Sequence, residues 1–358
     1  MNPIPLIIFG AGNVGRALVR QLLEAADYHL ARHQVAFSIT AWCDSDGALI
    51  DERGIRAGVL HRASEAKAAG VRLADTETGY RQADLSAIVD VAGRDGCIIV
   101  DVTATAATIP ALELALQRGY AIATANKLPI SGPQELFDRL TDEGRCRYES
   151  TVGSAVPIIE TALALVRAAD RVDVVQGALS GTLGFITTGL QAGRPLSELV
   201  RDAMARGYTE PDPRVDLGGM DVARKALILA RTLGWRLELA DVTVGSLVPP
   251  ELAGLPLDEF LERLTALDAH YAGQVEAAGM AGNVLRYVAE LRDGRAQVGL
   301  QAVPLPSALG RLQGNDNLVA FHTRYYPDTP LVLQGRGAGV EAAAAGVHSD
   351  IVALALHH

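Results

Sequence analysis

Cysteine is scarce in this 358-residue chain: only Cys43, Cys97 and Cys146 occur, far apart and within or beside apolar, strand-like runs. Without CxxC or Cys/His ligand spacing they read as buried thiols of a reducing cytoplasm rather than a disulfide framework. The eight histidines form no HExxH pair, which leaves a catalytic zinc without support. No apolar run reaches the length of a membrane span. The opening MNPIPLIIFGAG lacks the basic region of a signal peptide. Repeats and low-complexity tracts are absent. Clustered positive charge is also missing: 42 acidic against 32 basic residues give a formal charge of -10, which argues against nucleic acid or an anionic membrane as partner. A small metabolite fits better.

Lysine is the most telling shortage. Of the 32 basic residues 29 are arginine, and the lysines are Lys67, Lys127 and Lys225. An ammonium can give up its proton and a guanidinium cannot, so a lysine kept in such a chain calls for a chemical reason. Lys225 lies in GYTEPDPRVDLGGMDVARKALILAR, residues 207–231, beside Glu210, Asp212, Asp216 and Asp221. Pro211 and Pro213 predict that the acidic part is not regular helix. From Met220 the apolar spacing turns helical and sets Asp221 and Lys225 four apart on one face. A surface ion pair is the plain alternative for those two.

The apolar run 4–9 leads directly into Gly10-Ala11-Gly12-Asn13-Val14-Gly15 and then an amphipathic helix. In that context GxGxxG predicts a dinucleotide site, with a pyrophosphate at the helix N-terminus. A second strand, VAFSITAWC, ends in Asp44, placed to accept hydrogen bonds from an adenosine ribose and so to favour NAD. Asp44 comes later than the usual spacing, which requires an insertion near residues 26–34. Arg53 and Arg56 keep NADP open, and Asp44 also suits a turn in Asp44-Ser45-Asp46-Gly47. Strand and helix signals then alternate to about residue 150, predicting an α/β fold with a Rossmann-type doubly wound parallel sheet. Thr103 and Lys127 follow two strand ends and should face the nicotinamide side of the crevice. Asp293-Gly294, between NVLRYVAEL and RAQVGLQAV, predicts a two-residue hairpin. Residues 151–337 therefore read as a second α+β domain on a mixed sheet. The first domain, 1–150, is completed by a small-residue helix at 338–358.

These segments together resemble homoserine dehydrogenase: GAGNVG, TANK (124–127), YESTVGSAVPII (148–159), GALSGTLGFI (177–186), residues 208–231 and PLVLQGRGAG (330–339). The likeness runs in order along nearly the whole chain and is closest to the dehydrogenase half of bifunctional aspartokinase/homoserine dehydrogenases. It implies reversible NAD- or NADP-dependent reduction of L-aspartate 4-semialdehyde to L-homoserine, in threonine and methionine biosynthesis, by a cytoplasmic homodimer. By the same likeness Lys225 is the acid/base lysine, with Lys127 beside it and Asp221 orienting it or the substrate. Glu210, Asp216, Thr182 and Gly181 would hold the substrate, and Gly339 would join the cofactor set. A structural sodium would be bound through Glu149 with Val152, Ser154 and Val156. Ser180-Gly181-Thr182 stands where many relatives have Asn-Gly-Thr. The sequence carries neither a kinase half nor a C-terminal regulatory domain, so threonine inhibition is not part of the expectation. Two other readings compete: a non-catalytic NAD(H)-binding redox sensor, and an acylating semialdehyde dehydrogenase, which needs an activated cysteine.

Overall fold

The computed structural model describes residues 2–356, which divide into two compact units. One comprises the chain up to Ala155 together with the part from Gly339 onward, and the other runs from Val156 to Ala338.

The first unit is built on seven strands: β1 (Ile4–Phe9), β2 (Phe37–Cys43), β3 (Gly47–Ile50), β4 (Tyr80–Arg81), β5 (Ile98–Asp101), β6 (Ala121–Thr124) and β7 (Cys146–Arg147). Their order is β4-β3-β2-β1-β5-β6-β7. Strands β2, β1, β5, β6 and β7 are parallel, and β3 and β4 add an antiparallel edge that alternation alone does not announce. Parallel strands are covered on both faces, which is why β1 and β5 read as unbroken apolar runs. Their order reverses between β1 and β5, where an open α/β sheet takes its ligands. The C-terminal helix Val340–Leu356 belongs to this unit, with Ala344, Val347, Ile351 and Leu354 in one core with Leu18, Leu22, Ile98 and Val100. Its small residues allow close approach: a Cβ at Gly346 would come within 2.1 Å of the Ser154 carbonyl oxygen.

The insertion expected near residues 26–34 is a helix, Ala26–His33. It meets the C-terminal helix through His29 Nε2 and His348 Nε2, 2.7 Å apart, with His33, Tyr28 and Phe37 around His29. Two ring nitrogens share one proton at that distance, so the contact needs neutral imidazole. Burial pushes the His348 imidazole down to about 4, and the nearby His29 acts in the same direction. Unfolded histidine titrates near ~6.5, so the unfolded chain takes the proton first, and stability present above that pH is lost as pH falls toward 4, by roughly 3 kcal/mol. The melting temperature should therefore drop between pH 7 and pH 4.5 far more in the wild type than in His348→Gln. Equal slopes would contradict this.

The second unit carries β8 (Val172–Ala178), β9 (Val242–Val244), β10 (Asn283–Arg292), β11 (Arg295–Pro304), β12 (Asn317–Thr323) and β13 (Leu331–Gly335), in the order β13-β12-β8-β10-β11-β9. The sheet is mixed, as the sequence predicts, with β9 parallel to β11 and the other pairs antiparallel. Asp293 and Gly294 join β10 to β11 with φ of 51° and 74°, the left-handed pair that a type I′ turn needs.

Candidate active site

The glycine loop follows β1 and opens the helix Asn13–Glu24. Gly10 has φ 110°, and its carbonyl oxygen accepts from Trp42 Nε1 at 3.1 Å. A Cβ at Gly15 would lie 1.9 Å from that oxygen, whereas nothing stands within 4 Å of a Cβ at Gly12. The third glycine thus packs the turn and the second leaves room above it. Gly12 caps the helix without any side-chain hydrogen bond, and the first turn holds no acid. Bare N–H groups at a helix N-terminus suit a pyrophosphate. Asn13 Oδ1 is turned to Arg16, and Val14 packs on the core.

A cleft of about 530 Å³ runs from this loop past Asp44, Ser45 and Lys67 to Thr103, Thr105 and Thr108. Asp44 stands at the end of β2, yet its carboxylate is engaged elsewhere. Oδ1 accepts from Asp46 N (3.0 Å) and Gly47 N (2.9 Å), and Oδ2 from Lys67 Nζ (2.7 Å) and Leu73 N (2.9 Å). Four donors fill the four acceptor positions of a carboxylate. The geometry builds the turn role and leaves no lone pair for a ribose. Burial alone would raise this carboxyl, but the bonds from Leu73, Lys67 and Asp46 outweigh it and hold it below the usual range. Lys67 is the residue that the sequence reading left without a role, and its rarity was the signal. Arg53 lies elsewhere, lining a hollow with Asn2, Pro3 and Arg94.

Asp101 ends β5 fully buried and gathers Thr103, Thr108 and Asn126 around its carboxylate. Asn126 in turn caps the short helix Lys127–Ile130, its Oδ1 accepting from Leu128 N at 3.1 Å. Asp101 was not singled out beforehand, although an aspartate inside an apolar strand was visible in CIIVDVT, and Asn126 stood only as a member of TANK, without a role.

In the second unit, β8 ends at Ala178 and Ser180 caps the helix Gly181–Gln191 through Leu183 N. Lys225 sits on the helix Met220–Thr232 with only 12% of its side chain exposed. Its Nζ donates to Leu179 O at 2.7 Å and pairs with Asp221 Oδ2 at 3.0 Å. Three residues past Leu179, the Thr182 hydroxyl lies 2.5 Å from Tyr208 O and 3.3 Å from Asp216 Oδ1. Its single proton goes to the nearer oxygen. Asp216 Oδ2 accepts Glu210 N at 2.8 Å. Burial lifts the Asp216 carboxyl above the usual carboxylate range, and the charges on Glu210 and Asp221 act in the same direction, against the hydrogen bond from Glu210 N. Asp212 stands apart, held by the Arg214 guanidinium.

The proline-rich segment differs from expectation in one respect. Arg214–Leu217 forms a helical turn, with Pro213 at its N-cap, where a missing N–H is no loss. Gly219, at φ 77°, then starts the lysine helix, and a Cβ there would meet the Tyr287 hydroxyl at 1.8 Å. Gly181 keeps Asn315 O at 3.3 Å from where its Cβ would be.

In the first unit Glu149 is buried and Ser154 has φ 56°, its carbonyl accepting from Ser150 Oγ at 3.1 Å. With Val152 these supply only oxygen donors, the kind a hard cation takes. Val156 falls in the second unit, and Gly339, at φ 116°, begins the first unit's last segment. All three thiols are buried, and burial raises them, Cys97 to about 12. None is the accessible thiolate that an acylating enzyme needs.

The first unit is thus a Rossmann-type sheet with a glycine cradle at its switch point, and the second carries a largely buried lysine beside carboxylates. The family model described as homoserine dehydrogenase, NAD binding domain matches residues 10–148, and that described as homoserine dehydrogenase matches 157–352. A homoserine dehydrogenase of Emericella nidulans is 35% identical, with 98% of each chain covered. The bifunctional aspartokinase/homoserine dehydrogenase of Haemophilus influenzae is 33% identical over 99% of this chain and 43% of its own length, so the chain spans less than half of that relative. The solved structure of a putative homoserine dehydrogenase from Archaeoglobus fulgidus superposes with a TM-score of 0.79 at 25% identity, covering 98% of this chain and 99% of the other. The chain belongs to the homoserine dehydrogenase family.

Proposed function

We propose that the chain interconverts L-aspartate 4-semialdehyde and L-homoserine using NAD or NADP. The observation that carries this is Lys225 Nζ, largely buried and held between Leu179 O and Asp221, in the same unit as the Thr182, Glu210 and Asp216 group. When bound, the dinucleotide supplies or accepts the hydride; Gly10, Gly12 and the N-terminus of the helix Asn13–Glu24 would hold its pyrophosphate, with Thr103 and Lys127 toward the nicotinamide. Reducing an aldehyde builds negative charge on oxygen, which the Lys225 ammonium stabilises and then quenches by giving up its proton. In the reverse direction the amine takes the hydroxyl proton. Asp221 and Leu179 O keep Nζ from swinging away. Among the described residues no cation pairs with Asp216 or Glu210; the substrate's own ammonium would be their counter-charge, and Asp216 Oδ1 has an acceptor position to offer it.

The Asp44–Lys67 pair is neutral overall, which removes the repulsion of a 2′-phosphate that a lone aspartate would exert. Both cofactors therefore belong in the test. Initial rates of nicotinamide reduction with L-homoserine at alkaline pH should be well above background with NAD or NADP. A folded protein that binds the dinucleotide but gives no rate with either would favour the sensor reading. The proposal extends to a structural sodium at Glu149, a homodimer and a cytoplasmic location; the oxygen donors around Glu149 support the first and the reduced thiols the last. Sodium dependence of the same rate, and the mass in sedimentation, test the sodium and the dimer.

A further inference from the structure

We infer that Asp101 is a positioning residue for the reaction, tying the loop that carries Thr103 to the loop that carries Lys127. The inference rests on the dinucleotide reading above. Its carboxylate lies at the C-terminal end of β5, beside the point where the strand order reverses, and is wholly buried. Oδ1 accepts from Thr103 N at 2.9 Å and Thr103 Oγ1 at 2.7 Å. Oδ2 accepts from Thr108 Oγ1 at 2.7 Å and Asn126 Nδ2 at 3.0 Å. The same Asn126 amide reaches Thr105 O at 2.8 Å, while its Oδ1 caps the helix that begins with Lys127. One buried anion therefore organises the 103–108 wall of the cleft and the turn into Lys127, two segments 18 or more residues apart in sequence.

The donor set makes the carboxylate hard to replace. Hydroxyls can rotate and become acceptors, but Thr103 N and Asn126 Nδ2 cannot. Each carboxylate oxygen faces one of these fixed donors. An asparagine at 101 would point its own NH₂ at Thr103 N in one orientation and at Asn126 Nδ2 in the other. Either way one loop comes loose, and a displacement on the order of 1 Å at reacting groups is enough for a ~100-fold loss of rate. Burial raises the Asp101 carboxyl while the four hydrogen bonds pull it back.

The test compares Asp101→Asn, Asn126→Ala and Thr108→Val in the full chain. Dissociation constants for NADH and NADPH are read by fluorescence titration, steady-state constants with L-homoserine, and melting temperature alongside. Asp101→Asn and Asn126→Ala should each weaken dinucleotide binding about tenfold and lower kcat by at least as much, with KM for L-homoserine nearly unchanged, since the acidic substrate residues are in the other unit. Thr108→Val removes one hydroxyl donor to Asp101 and the longer contact from Asn126 Nδ2 at 3.4 Å, and should weaken dinucleotide binding in the same direction but less than either of those variants. Should Asp101→Asn fail to fold, Asn126→Ala carries the same comparison. A variant that melts earlier but keeps wild-type binding and kcat overturns the positioning role alone. A wild type that binds neither dinucleotide sinks the cofactor reading, and the inference with it.

Discussion

Lys225→Ala is expected to lower turnover by about a thousandfold or more while the protein stays folded. Two contributions disappear together, the ammonium that stabilises the developing alkoxide and the proton that neutralises it. The effect on stability is much smaller. Truncation leaves Leu179 O without its donor, a loss of roughly 1–2 kcal/mol at a partly buried site, and the helix retains its buried face of Val222, Leu227, Ile228 and Leu229. Lys225→Arg separates charge from proton transfer, because a guanidinium keeps its proton at any working pH. It should recover little of the lost rate. Steady-state kinetics beside circular dichroism check both variants, and near-wild-type kcat in the alanine variant would remove Lys225 from the acid/base role.

The second large effect is expected at Gly15. The intruding methyl group of Gly15→Ala would sit 1.9 Å from the Gly10 carbonyl oxygen, a backbone atom already fixed by Trp42 Nε1. No side-chain adjustment relieves that contact, so the turn itself must open. Dinucleotide affinity should fall by at least about a hundredfold, because the helix N-terminus loses its aim at the pyrophosphate. Gly12→Ala makes an informative contrast: its Cβ has open space around it in the protein alone, so any loss of affinity there, with the melting temperature unchanged, comes from the ligand side. Fluorescence titration with NADH and NADPH measures both. Unaltered affinity in Gly15→Ala would mean that the dinucleotide is not held at this glycine turn.

Much of the fold was legible because its signals are local. The strand, glycine turn and helix at residues 4–24 lie next to one another in the chain, and Asp293-Gly294 needs only its own φ angles to make a hairpin. Asp44 shows where local reading stops. Its position at the end of β2 is local, but what its carboxylate does depends on Lys67 and Leu73, 23 and 29 residues away. The antiparallel edge of β3 and β4 was unreadable for a related reason: a four-residue and a two-residue strand are too short to show a period. Lys225 was found through composition and neighbours in sequence. Its anchoring on Leu179 O, 46 residues away, required the fold. Asp101 was hidden by its surroundings, since a buried acid in an apolar strand takes its meaning from donors on other segments.

The most direct measurement follows the hydride itself. NADPH or NADH carrying two deuterium atoms at C4 of the dihydronicotinamide would be incubated with the protein and L-aspartate 4-semialdehyde, and the amino-acid product examined by mass spectrometry. The account predicts L-homoserine with one deuterium on its hydroxyl-bearing carbon in the wild type, and at most trace label with Lys225→Ala. Label-free homoserine, or none formed while the dinucleotide is bound, would contradict it.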